Sequence, residues 1–95
     1  MAKLVFARLA EQDLHEILEF ISRDKPTAAV RWVEKIRPKC RLLASHPELG
    51  ERRPEFATGQ FRSSLVGSYV IFCRPVEGGI EVARVVRGER DTREI

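Results

Sequence analysis

Groups able to take up or release a proton near neutral pH are scarce in this chain, whose 95 residues include two histidines, two cysteines and one tyrosine. Cys40 and Cys73 form no Cys-x-x-Cys pair and have no histidine beside them, which argues against a zinc site or a redox motif. Buried, reduced thiols of a cytoplasmic protein are the better reading. No stretch approaches the ~18 apolar residues of a membrane span, and the chain does not open with the charged segment and long apolar run of a secretory signal. The expectation is a soluble, cytoplasmic protein with no membrane partner and no cofactor. Repeats, low-complexity segments and linkers are also missing, so residues 1–95 read as one domain, able to bury about 60–65% of its unfolded surface. Charge is not scarce: 17 bases against 14 acids give a net charge of +3, which weakly favours partners carrying negative charge.

What is abundant is β-forming sequence studded with arginine. Gly59 to Asp91 contains three β-rich runs separated by Gly67-Ser68 and by Glu77-Gly78-Gly79. Glycine supplies the positive φ that tight hairpin turns require, so these runs predict an antiparallel meander. In the second run Tyr69, Ile71 and Cys73 oppose Val70, Phe72 and Arg74, and both faces are largely apolar. Such a strand belongs at the centre of a sheet, with the helices on one face and the C-terminal tail or a partner protein on the other. Arg62, Arg74, Arg84, Arg87 and Arg90 lie along this small sheet.

Upstream, Lys3 to Arg8 alternates as a short strand does, and Leu9 to Arg23 changes to a helical period with Leu14, Ile17, Leu18 and Ile21 on one face. No capping side chain precedes Ala10, so packing or the acids Glu11 and Asp13 must fix the helix start. Asp24-Lys25-Pro26-Thr27 breaks the helix and suits the first turn of the next. That second helix is expected from about Thr27 to Ser45, with Ala29, Val33, Ile36, Cys40 and Leu43 as a seam against the first and with a kink at Pro38. Trp32 is read as lying beside this seam, as half-buried packing or as an interface anchor. His46-Pro47 ends the helix, and 48–58 is a loop. The first helix carries mostly acids and the second mostly bases, so cross-helix ion pairs or a partner site are both open.

Arginine stabilises charge and binds phosphate, but with a pKa above ~12 it is a poor base. His15 lies on the acidic helix, His46 at a helix C-terminus, and Tyr69 within the sheet. Glu89 and Asp91 are weak bases if exposed. Arg62 and Arg74 either pair with Glu81 or Asp91 across strands or contact a partner. Arg87 and Arg90, which follow the last strand, are the better functional candidates.

The elements carry Ala10-x-x-Asp13-Leu14-x-x-Ile17-x-x-Phe20-Ile21, Pro26, Ala29, Pro47, Gly50, Phe61-Arg62, Gly67-x-Tyr69-x-Ile71-Phe72-x-Arg74 and Val82 through Arg90-Asp91. In this order and over nearly the whole chain, the pattern resembles the RelE/ParE toxin superfamily. The loop Pro47-Glu48-Leu49-Gly50 and the closing Arg87-Gly88-x-Arg90-Asp91 place it nearest the ParE branch. The resemblance implies an α+β fold: a short N-terminal strand, an antiparallel helical hairpin and a three-stranded antiparallel meander. It also implies a toxin of a type II toxin–antitoxin module, held in a hetero-oligomer by a ParD-like antitoxin.

ParE-like members poison DNA gyrase by binding, and RelE-like members cut messenger RNA on the ribosome. RelE-like chains place a tyrosine or histidine near the end of the last strand or in the tail, and 84–95 has neither. The resemblance therefore favours a gyrase poison without catalytic residues or sequence-specific DNA binding of its own. A ribonuclease and an inactive antitoxin-binding pseudotoxin remain as alternatives. Arg62, Arg74, Arg84, Arg87 and Arg90 are then candidates for target contact, and Trp32, Val70 and Phe72 for antitoxin contact, through an apolar groove with basic rims. ParE-like chains often have histidine where this one has Arg87 and tyrosine where it has Cys73, so family roles at those two positions do not transfer.

Overall fold

In a computed structural model, residues 2–55 and 60–88 are described. The elements follow in the order β1 (Lys3–Phe6), α1 (Arg8–Asp24), α2 (Pro26–Ser45), β2 (Glu51–Arg52), β3 (Arg62–Val66), β4 (Tyr69–Val76) and β5 (Gly79–Arg87). The strands form one five-stranded sheet in the order β1-β5-β4-β3-β2. The meander β3-β4-β5 is antiparallel, and its two turns use Gly67 at φ 61° and Gly78 at φ 84°, conformations that cost glycine little. β4 is the central strand, as its two apolar faces require.

Two strands extend the meander. β1 joins β5 in parallel, pairing Lys3 with Gly79 through Phe6 with Val82, and a side chain at Gly79 would collide with the Lys3 backbone. Within the segment expected to be a loop, Glu51 and Arg52 pair with Ser63 and Arg62 as the short edge strand β2. No local pattern announces either pairing, because each depends on a partner distant in the chain.

The helical hairpin packs on one face of the sheet. Ala10 of α1, Trp32, Ile36, Cys40 and Leu43 of α2, and Ile71, Cys73, Ile80, Val82 and Val85 of β4 and β5 form the core. Trp32 belongs to this seam, while Val33 is only half-buried. A stripe broad enough to cover a sheet takes more positions than the narrow three-and-four spacing allots. α1 begins at Arg8, and its N-cap Ala7 offers no side-chain hydrogen bond. α2 starts with Pro26 in its first turn and runs as one helix through Pro38, which is solvent-exposed. The two cysteines are free and buried, and burial together with neighbouring Cys73 pushes the Cys40 thiol up to about 11. Among the described residues no ion pair joins α1 to α2: the three pairs are Arg53–Glu55, Arg74–Glu81 and Arg84–Asp13. The hairpin is held by its apolar stripe against the sheet.

β5 buries both Val82 and Val85, which strict alternation would place on opposite faces. A bulge resolves the conflict. Cys73 pairs with Val82 and Phe72 with Arg84, leaving Ala83 as the extra residue.

Truncating Ile71, which is 0% exposed at the centre of β4, is expected to cost about 2–5 kcal/mol. Leu65→Ala, at a side chain 65% exposed, is expected to change stability by less than about 0.5 kcal/mol. Urea unfolding of the two variants measures both.

Candidate functional site

The sheet arginines divide by what holds them. Arg62 on β3 donates from Nη1 to the carbonyls of Glu48 and Gly50, at 3.0 and 2.9 Å, and so fastens the chain leaving α2. Arg74 on β4 faces Glu81 on β5 and bonds Oε1 through Nε and Nη2, at 2.8 and 2.7 Å. That is the cross-strand pairing expected for it. Arg62 binds backbone carbonyls because its position on the helix face brings it over the turn after α2.

Arg84 meets Asp13 of α1 in a bidentate pair, Nε to Oδ2 at 2.8 Å and Nη2 to Oδ1 at 2.9 Å, and the Val85 amide also donates to Oδ2 at 2.9 Å. Burial pushes the Asp13 carboxyl up, but the Arg84 hydrogen bonds, the Val85 amide and the Arg84 charge outweigh it and hold the group below its ordinary value. The same contact raises the Arg84 guanidinium further. Asp13 was expected at the helix N-terminus as a complement to the dipole. It serves as the bond between α1 and the bulge of β5.

Arg87 closes β5 opposite Tyr69 and is exposed. It borders a cavity of about 320 Å³ shared with Asp13, Glu16, Ile17, Phe20 and Tyr69. Arg90 lies outside the described residues, as do Glu89 and Asp91. His15 is exposed on α1, and His46 caps the C-terminus of α2 with its amide donating to Leu42 O. Among the described residues no three of His, Cys, Asp and Glu are placed to hold a metal ion, and no helix is long and apolar enough to cross a membrane.

The residues expected to meet a partner fall in two places. Trp32 is 8% exposed and packs edge-on against Tyr69, with ring centroids 5.3 Å apart and planes at 67°. Its ring borders a groove of about 400 Å³ between β1 and the helical hairpin, with Arg37 and Arg41 at the rim. Val70 and Phe72 lie on the far face of the sheet, but that face is not bare. Val70 is 4% exposed, because the Gly88 amide bonds Ser68 O and brings the chain so close that a side chain at 88 would strike Val70. Phe72 is half-buried under Arg53, whose guanidinium carbon stands 5.7 Å from the ring centroid while Nε donates to Ser63 Oγ at 2.8 Å. Val70 is therefore corrected from a surface residue to a packed one. Arg53 was not anticipated, and an arginine one residue before Pro54 carries no sequence signal that would have found it.

A family model described as the ParE toxin of the type II toxin-antitoxin system, parDE, matches residues 4–92. The chain belongs to this family. The solved structure titled "Chromosomal ParDE TA system from P. aeruginosa" shares the fold, with a TM-score of 0.73 at 22% sequence identity over 92% of this chain and 96% of that one. No curated protein matches. Family membership makes the chain a ParE-type toxin component, and the α+β architecture agrees with the fold the sequence led us to expect.

The Asp13 contact makes a testable statement about stability. A carboxylate whose folded pKa is lowered stabilises fully above its unfolded value and loses that contribution as pH falls through the folded one. Asp13→Ala is expected to cost about 2 kcal/mol at pH 7, with the gap to the parent protein closing below about pH 4. Thermal unfolding across pH 3 to 7 measures it.

Proposed function

We propose that this ParE family toxin arrests growth by binding DNA gyrase and stabilising its cleaved-DNA state, without catalysis of its own. A ParD-like antitoxin neutralises it in a cytoplasmic hetero-oligomer, as in a plasmid-stabilisation module. The observation that carries the reading is the exposed Arg87, the last residue of β5, which borders a cavity of about 320 Å³ with Asp13, Glu16 and Tyr69. Arg62, Arg74 and Arg84 lie on the same sheet and hold loops, strands and α1 in place. Arg90, three residues after Arg87, extends the same basic cluster in the sequence.

The chemistry around Arg87 supports binding over bond cleavage. Cutting RNA through its 2′-hydroxyl calls for a proton acceptor with a pKa near neutrality, a donor, and cations for the transition-state charge. Arg87 supplies a cation, which stabilises charge and binds anionic groups. Asp13, the nearby carboxylate, is held ionised below its ordinary range by Arg84 and the Val85 amide, which makes it a weak proton acceptor. Tyr69 is engaged edge-on with Trp32. The surroundings of Arg87 thus suit an anionic or polar partner surface better than general acid–base work.

Purified toxin added to gyrase and supercoiled plasmid is expected to accumulate linear DNA, and added antitoxin to abolish it. Reversing both Arg87→Glu and Arg90→Glu should lower linear product at least tenfold while antitoxin capture persists. Absence of linear DNA from a toxin that still arrests growth would overturn the gyrase reading, and cut message on ribosomes would point to a ribonuclease instead.

A further inference from the structure

The cavity beside Arg87 has its other wall on α1. Asp13, Glu16, Ile17 and Phe20 form that wall, facing Val86 and Arg87 on the sheet. The four helix residues are related by steps of three and four, so they share one flank of α1. Phe20 also borders a second cavity, of about 450 Å³, at the turn of the helical hairpin with Ile21 and Lys25. One ring thus joins the two recesses. It is 59% exposed, while Leu14, Ile17, Leu18 and Ile21 of the same helix pack against the core. With Ile17, Ile21 and Val86 bordering the same recesses, Phe20 is the crest of an apolar patch and not a lone exposed ring.

Charge around the patch is mixed in sign. Arg87 stands on the sheet side and Glu16 on the helix side. Glu16 is exposed and adds to the field at Arg84 without bonding it, since Arg84 is taken by Asp13. From Leu9 to Asp24 five acids stand against Arg23 alone. A polynucleotide carries charge of one sign at short, regular spacing. Phosphates drawn to Arg87 would run past Glu16 and the acids of the same helix, and like charges oppose that. Stacking a base on Phe20 brings its phosphates to those acids as well. A polypeptide surface meets all three demands, with an apolar side chain over Phe20, a base at Glu16 and a carboxylate at Arg87. A second copy of this chain on the patch would set one acidic α1 against another, which like charges also oppose.

We propose that Phe20 and Glu16 form, with Arg87, a docking surface for the gyrase protein, one that seats an apolar side chain flanked by a base, and that this surface does not touch the cleaved DNA. This rests on the gyrase reading above and specifies which component of the gyrase–DNA complex meets the toxin where α1 and β5 come together.

The test measures binding of the purified toxin to gyrase with and without plasmid, alongside the yield of linear DNA. Binding is expected in the absence of DNA. Phe20→Ser should weaken it about 10- to 100-fold, and Glu16→Lys about tenfold. Glu11→Lys, the same charge change on the opposite side of α1, should stay within about threefold. Glu16→Lys alters an exposed helix position, so it stands as a test even where Phe20→Ser fails to fold. Parent-like binding by Glu16→Lys and Phe20→Ser, from a toxin that yields linear DNA, overturns the surface and leaves the gyrase reading intact. Tighter binding by Glu16→Lys, seen only with plasmid present, would mean that the surface meets phosphate and overturns the proposal too. A parent toxin that neither binds gyrase nor yields linear DNA removes both readings. A dimer in sedimentation that Phe20→Ser dissociates gives the patch to a second copy and also overturns the proposal.

Discussion

The carboxylate of Asp13 is the point on which the two layers depend. It reaches from α1 to the one place where β5 departs from regular alternation and accepts both the Arg84 guanidinium and the Val85 amide there. Without the extra residue at Ala83, β5 would turn either Val82 or Val85 away from the helices. The bulge keeps both in the core, and a charged bond from the covering helix marks the irregular spot. With its side chain 12% exposed against 47% for Arg84, Asp13 is the buried member of the pair, so its removal leaves an amide unsatisfied beneath the helix. The ion pair therefore acts chiefly on the register of α1 over the sheet, and the apolar core supplies the bulk of the stability.

The arginines of the sheet show how little residue type alone says about role. A guanidinium has five donors in a rigid fork, which suits backbone carbonyls, carboxylates, aromatic faces and partner phosphates alike. In this chain Arg62 takes carbonyls, Arg74 and Arg84 take carboxylates, and Arg53 lies across an aromatic ring. Arg87 closes β5 opposite Tyr69.

The order of elements, the turn glycines, the proline at the start of α2 and the central place of β4 were all legible in the sequence, because each follows from a local rule of period, φ or composition. Pairings between distant segments were not. Nothing in Lys3–Phe6 states that it lies parallel to β5, nothing in Glu51-Arg52 states that it forms an edge, and nothing at Ala83 signals a bulge. Asp13 and Arg84 both stood out as charged residues in a matching pattern, yet their partnership spans the chain and has no local trace. Trp32 escapes the sequence pattern for a different reason: three-and-four spacing marks a narrow seam, and α2 faces a broad sheet that buries Trp32 as well. Val70 looked like half of an open face until the path of the chain at Gly88 showed what covers it.

The pairing of β1 with β5 joins the first strand to the last, with Lys3 set against Gly79, where only a residue without a side chain fits. During synthesis the first strand emerges long before its partner exists. The helical hairpin, which is local, can form early, but it has no sheet to cover until the meander is complete. A growing chain stopped short of Gly79 thus lacks the pairing that closes the fold.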